Sequence, residues 1–94
     1  MSSDLPDLHD ATLVGIDFAW QSGECTVSIR GHSARWALTF AAVSNLALPR
    51  ELPWGPSQSI NAMVETSKGR FEIEMQSGDV LRIDADSVSV LLTA

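Results

Sequence analysis

The sequence is poor in several residue types that restrict what the protein can be. It contains no tyrosine and a single cysteine, Cys25. One cysteine cannot form an intramolecular disulfide, so the composition predicts a reducing compartment. Six Lys and Arg residues stand against twelve Asp and Glu residues, which gives a formal net charge of −6. This balance disfavours nucleic acid and anionic membranes as partners, because both present negative phosphates.

Catalytic and targeting motifs are also missing. The chain has no Gly-rich phosphate loop, no G-x-S-x-G elbow, no C-x-x-C pair and no H-E-x-x-H helix motif. No apolar run approaches the roughly 20 residues of a membrane helix. The acidic segment 1–7 lacks the basic-then-apolar order of a signal peptide. We therefore expect a cytoplasmic protein without cofactor, metal or catalytic residues, and catalysis is the less favoured interpretation.

In the first half, apolar residues alternate with polar or small ones. A two-residue loop at 22–23, or a four-residue loop in the same register, pairs Trp20 with Cys25. The same register sets Phe18 opposite Val27 and Ile16 opposite Ile29. After a turn at 31–33, Trp36, Leu38 and Phe40 continue the apolar face opposite Ile29, Val27 and Cys25. The pattern predicts a three-strand meander over residues 12–41.

The second half, residues 60–92, repeats this plan. Ile60, Ala62 and Val64 alternate before a turn at 67–69. A three-residue loop at 76–78 places Gly78 where a left-handed residue is needed. That loop sets Ile73 opposite Leu81, Phe71 opposite Ile83 and Glu72 opposite Arg82. After a bend at 84–87, Val88, Val90 and Leu92 form a last strand.

Residues 42–59 form a proline-containing connection between the halves. Apolar residues from Phe40 to Ala47 have roughly helical spacing, which indicates one or two helical turns before Pro49. We predict one all-β domain over residues 1–94, a small antiparallel sandwich or partly open barrel of six to seven strands with at most one short helix. The predicted core consists of Phe18, Trp20, Val27, Ile29, Trp36, Leu38, Phe40, Ile73, Leu81 and Ile83.

The connection also holds the first candidate binding residues. Trp54 lies between Pro53 and Pro56 and is either an exposed aromatic anchor for a partner or a plug over one end of the core. If it is an anchor, nearby polar side chains supply adaptable hydrogen bonds around it. These are Ser57, Ser59 and Asn61.

A second set of candidates lies on a predicted polar sheet face. Strand alternation places Glu65, Glu72, Glu74 and Arg82 there, with Met63 among them. Glu72, Glu74 and Arg82 are candidate binding residues. Parallel carboxylates on a sheet do not converge on a cation, so a solvated face is favoured over a metal site.

The remaining reactive side chains are expected to be structural. His9 and Asp10 are adjacent on an extended segment, so their side chains are expected to point apart and not to form an oriented base. Asp10 is expected to turn the chain into the first strand. Cys25 is central in an apolar strand, where burial raises a thiol pKa and blocks access.

The segment Leu8-His9-Asp10-Ala11-Thr12-Leu13 resembles the opening of several families of small, mostly uncharacterised bacterial proteins, some of them similar to immunity proteins that neutralise a partner toxin. The resemblance implies a non-catalytic, partner-binding role. We accordingly expect a small protein-interaction module with a preference for a basic partner. The alternatives are a β-barrel that binds a small molecule or metal, and a structural homodimer that pairs through the uncharged C-terminal strand.

Overall fold

The chain forms a sandwich of two antiparallel sheets. The structure, a computed structural model, describes residues 9–31, 34–48 and 59–93. The first sheet has the order β1-β2-β3-β8 and the second sheet the order β4-β7-β6-β5. The strands are β1 (Thr12–Ala19), β2 (Glu24–Arg30), β3 (Arg35–Ala41), β4 (Asn45–Ala47), β5 (Ile60–Ser67), β6 (Arg70–Met75), β7 (Val80–Asp84) and β8 (Ser87–Thr93).

The predicted all-β class is confirmed, with more strands than expected. The described residues form eight strands and no helix, against six to seven predicted strands. The expectation of helical turns is wrong for residues 40–48, where Asn45–Ala47 is a strand that pairs with β7. The backbone N–H of Ser44 donates to the Asp84 carbonyl at 2.8 Å. Pairing along β7 therefore outweighs the helical spacing of this short segment.

The register of the first hairpin differs from the prediction by two residues. Phe18 lies opposite Cys25, not Val27, and the loop runs from Trp20 to Gly23. The Gly23 N–H donates to the Ala19 carbonyl at 2.9 Å, and Gly23 has a φ of 72° that favours glycine. A slip of two residues keeps every side chain on its face, so alternation alone could not separate the two registers.

This register removes Trp20 from the core. Its side chain is 87% exposed at the tip of the hairpin, which overturns its predicted burial. The ring contacts Phe18 edge to face, with ring centroids 5.8 Å apart. A β-bulge between Leu13 and Gly15 also turns Val14 outward and lets Leu13 take its place opposite Ile29.

The other predicted registers are confirmed. Cys25, Val27 and Ile29 lie opposite Phe40, Leu38 and Trp36. Ile73 lies opposite Leu81, Phe71 opposite Ile83 and Glu72 opposite Arg82. The loop at 76–78 has three residues, and Gly78 adopts the expected positive φ, 103°.

β5 contains an irregularity that reverses its faces. The register shifts between Ile60 and Ala62, so Met63 is buried and Val64 is 48% exposed. The sequence alternation had placed Val64 inside and Met63 outside. One extra residue at Asn61 exchanges the two faces for the rest of the strand.

The last strand leaves the second half of the chain and completes the first sheet. β8 pairs with β3 in an unbroken antiparallel register from Arg35 opposite Thr93 to Ala41 opposite Ser87. The two sheets are thus joined by a covalent crossover at Ala85-Asp86 as well as by packing.

The inner faces of the two sheets meet in a core that is entirely apolar within the described residues. Phe40 of the first sheet and Phe71 of the second touch edge to face with centroids 5.1 Å apart. Phe18 and Trp36 are partly buried against this core. The most completely buried large side chains are Val27, Ile29, Leu38, Phe40, Ile60, Ile73 and Ile83.

Replacing Phe40 with alanine should lower the free energy of unfolding by about 3–5 kcal/mol, because it removes a fully buried ring and leaves a cavity. Replacing Trp20 with alanine should cost less than about 1 kcal/mol, although the side chain is larger, because it is exposed. Urea denaturation of both variants measures the difference. Equal losses would place Trp20 in the core after all.

Candidate functional site

Two of the predicted binding residues in the connecting segment, Trp54 and Ser57, lie outside the described residues, so their roles stay predictions. Ser59 lies at the start of the described second half. It forms an isolated antiparallel bridge with Thr12 of β1, and its carbonyl accepts a hydrogen bond from the Gln76 N–H at 2.9 Å. Ser59 therefore links the margins of the two sheets.

Asn61, the next predicted binding residue, occupies the irregular position of β5. Its side-chain amide donates to Glu74 Oε1 at 2.6 Å, and its carbonyl accepts from His9 Nδ1 at 2.9 Å. The structure thus brings Asn61 and Glu74 together, as two members of the predicted set, and adds His9, which the sequence placed apart from them.

His9 and Asp10 contact each other, contrary to the expectation that their side chains point apart. Asp10 has a positive φ, 67°, which brings its Oδ2 to 3.5 Å from His9 Nε2. The Asp10 N–H donates to the Ile60 carbonyl at 2.8 Å, and the Gln76 side chain donates to Asp10 Oδ1. Both ring nitrogens of His9 face protein oxygens, so His9 and Asp10 together attach the segment before β1 to β5.

The outer face of the second sheet carries two cross-strand ion pairs, of which the pair of Glu72 and Arg82 was predicted. Arg82 Nη2 lies 3.2 Å from Glu72 Oε2, as the cross-strand pairing predicted. Arg70 Nε lies 3.0 Å from Asp84 Oδ1. The hydrogen bond from Arg70, assisted by Asn45 and by the positive charges of Arg70 and Arg82, lowers the pKa of Asp84 against a smaller opposing effect of burial.

Glu65 does not share this polar face. The shift in β5 places Val64, not Glu65 or Met63, opposite Glu72. Glu65 Oε2 instead accepts a hydrogen bond from the backbone N–H of Gly69 at 3.0 Å, across the turn that joins β5 to β6. Glu65 is therefore a turn-stabilising residue, and this corrects the predicted grouping of Glu65 with Glu72, Glu74 and Arg82.

Metal-ligating side chains, the single thiol and one surface depression of the described residues bear on catalysis and ligand binding. No group of three or more His, Cys, Asp or Glu side chains among them can hold a metal ion. Cys25 is fully buried, and burial, with a smaller contribution from the charge of Asp17, raises the pKa of its thiol. A surface depression of about 430 Å³ lies beside Trp20 and is lined by Phe18, Val43 and Leu46. It contains aromatic and aliphatic surface but no ionisable side chain.

The four edge strands differ in how they are protected against pairing with another chain. β1 is interrupted by its bulge, β5 by two register shifts, and β4 has only three residues. Bulges and short length are two of the devices that discourage pairing at a sheet edge. β8 has neither, because its seven residues pair with β3 without a break and include no charged side chain.

β8 also exposes apolar side chains on both of its faces. Val90 and Leu92 lie on the same side as the core, opposite Leu38 and Trp36, yet are 41% and 61% exposed. Leu91 points to the other side and is 61% exposed. The second sheet therefore does not cover this margin of the first, and an added strand would bury apolar surface on both faces.

Comparison with protein-family models, with curated proteins and with solved structures found no match to this chain. Among the residues that the structure describes, no helix is long and apolar enough to cross a membrane.

The ion pair of Arg70 and Asp84 predicts a component of acid sensitivity. Because the pKa of Asp84 is lowered in the folded state, its contribution is present above its ordinary value of 3.8 and is lost as the pH falls through the folded-state value. Asp84→Asn should therefore be less stable than wild type at neutral pH, and the difference should shrink near about pH 3. Urea denaturation at both pH values tests this.

Asp86→Asn is the matched control, because it removes an equal charge from an exposed carboxylate two residues away, without the Arg70 hydrogen bond. A gap between wild type and Asp84→Asn that is the same at both pH values would contradict the assignment.

Proposed function

We propose that this protein is a non-catalytic interaction module that binds an extended segment of a partner protein along β8. The observation that supports this is the contrast among the four edges. β8 alone of these strands combines full length, unbroken register and exposed apolar side chains. Strand addition uses the free backbone groups of such an edge for affinity, and alternate side chains for specificity.

The chemistry of the edge defines the segment that would bind. Val90 and Leu92 lie on the core side of this edge and are exposed, so partner residues on the same side should be apolar. Leu91 and Ser89 alternate on the other side, next to Ala37 and Thr39 of β3. An alternating segment with at least two apolar residues on one face fits this edge.

The net charge of −6 favours a partner with basic residues around this segment. Opposite charges raise the association rate, and salt screens them. A reducing, cytoplasmic location agrees with the single buried Cys25. The partner-binding role implied by the resemblance of segment 8–13 to immunity-like bacterial proteins points the same way.

A second copy of the chain is the other occupant that the edge favours. An antiparallel pairing of two β8 strands centred on Val90 would place Val88 of each copy opposite Leu92 of the other. All of these side chains lie on the core side of the sheet. The self-complementary apolar pattern is the observation that supports this homodimer.

Val90→Lys tests the binding of a partner segment and of a second copy alike, because a charge on the core side of an open edge opposes strand addition. Val64→Lys is the control, since Val64 has similar exposure, 48% against 41%, on the interrupted edge β5. Tagged wild type and both variants are used to capture proteins from a lysate of the source organism at low and high salt. We expect a near-stoichiometric basic protein with wild type and Val64→Lys, and at least about tenfold less of it with Val90→Lys.

Hydrogen exchange of the purified complex then locates the contact. Added protection at the backbone amides of β8 supports strand addition. Capture that Val90→Lys retains in full, or protection confined to other strands, would overturn the assignment of the binding edge. If wild type captures only copies of itself and Val90→Lys abolishes this, the β8 homodimer is the correct occupant.

A further inference from the structure

The outer face of the first sheet carries mostly short side chains over β2, β3 and β8, and this part of it is called the flat face. Buried Cys25, Val27 and Ile29 fix the orientation of β2, so Thr26 and Ser28 point outward. Across the sheet, the two central rows of β2, β3 and β8 contain no charged side chain. They consist of Thr26, Thr39 and Ser89 in one row and Ser28, Ala37 and Leu91 in the next.

The outer face of the second sheet has the opposite character. It carries Arg70, Glu72, Glu74 and Arg82. Long charged side chains keep a sheet face in water and prevent stacking. The lack of them in the centre of the first sheet leaves a surface on which another flat face can pack closely, at the roughly 10 Å spacing of stacked sheets.

The charges on β2 are separated by sign along the strand. Glu24 lies at one end and Arg30 at the other, opposite Arg35 of β3, while Asp17 of β1 lies opposite Thr26 in a central row. Arg30 is directly opposite Arg35 in the ladder. A carboxylate of a second copy placed over Arg30 would be stabilising. On β2 alone, Glu24 and Arg30 are six residues apart, or about 20 Å.

We propose that the flat face binds a second copy of this chain, with the strands of the two copies antiparallel. A two-fold axis that runs across the strands, between the two central rows, places Glu24 of each copy over Arg30 of the other. A two-fold axis along the strands would instead place the Arg30 ends of the two faces over each other. The separation of charge therefore selects the first arrangement.

The size of the face suits a weak dimer. The three strands β2, β3 and β8, about 4.8 Å apart and about 20 Å long, give roughly 300 Å² in projection on each copy. Even with the larger accessible area, the two copies together bury less than the roughly 1,200 Å² of a standard interface, which is the range of weak complexes. This dimer would leave the β8 edge free, so it is independent of the interaction proposed for β8.

Two charge reversals test the arrangement. Glu24→Arg alone would give each copy arginine at both ends of β2, and Arg30→Glu alone would give glutamate at both ends. Each variant should dimerise at least about tenfold more weakly than wild type. An equimolar mixture of the two should recover wild-type affinity as a heterodimer, because the charges then match at both ends. Sedimentation velocity between about 1 µM and 1 mM measures all four samples.

Ala37→Lys tests the stacking itself, because it places a long charged side chain in the centre of the flat face without entering the core. It should be monomeric, whereas Val64→Lys, on the outer face of the other sheet, should dimerise as wild type does. Val90→Lys should also dimerise, because Val90 points to the core side. Thermal unfolding checks that every variant is folded.

Three results would overturn the proposal. If wild type remains monomeric throughout this range, a segment of the chain itself or a different protein covers the face. If dimerisation survives Ala37→Lys but is lost in Val90→Lys, the copies pair through β8. A mixture of the charge variants that does not recover the dimer would likewise overturn the antiparallel arrangement.

Discussion

The contact between Phe40 and Phe71 is the interaction on which the rest of the sandwich depends. Each ring belongs to a strand at the interior of its sheet, and the two meet edge to face at the centre of the interface. No polar side chain is buried among the described residues, so no directional hydrogen bond between side chains fixes the sheets relative to each other in the core. Within the core, their alignment therefore depends on the shapes of the apolar side chains. Each strand must keep a register that presents matching apolar rows, and the outer faces are fixed as a consequence.

The sequence predicted those registers where alternation and turn geometry agree. β6 and β7 follow from alternating residues and from Gly78 in a three-residue loop, and β2 and β3 follow from unbroken alternation. The first hairpin was misplaced because a slip of two residues leaves every face unchanged. Only the position of Gly23, which has a positive φ, distinguishes the two registers. The wrong register also placed Trp20 in the core, whereas its side chain is exposed. Alternation predicts on which face a side chain lies, but it does not identify the neighbouring strand. The pairing of β8 with β3 therefore could not be predicted from the sequence.

The candidate site shows the same division between what was and was not predictable. The pairing of Glu72 with Arg82 followed directly from the β6–β7 register. The grouping of Glu65 and Met63 with them failed because one extra residue at Asn61 reverses the faces of β5, and no residue pattern in that strand marks the shift. The contact of His9 with Asp10 depends on a positive φ that aspartate adopts only occasionally. Weakly protected edges become visible only when all four are compared, which requires the complete strand order.

The crossover from β7 to β8 has a consequence for how the chain reaches this structure. β3 is made early in the chain, yet its second neighbour is the last strand of the described residues. Until β8 docks, β3 presents an open edge beside Leu38 and Phe40, which are buried in the finished fold. Pairings between distant parts of a chain slow folding, and partly assembled sheets with open edges aggregate readily. Docking of β8 therefore covers Leu38 and Phe40, and it transfers the open edge of the sheet from β3 to β8 itself.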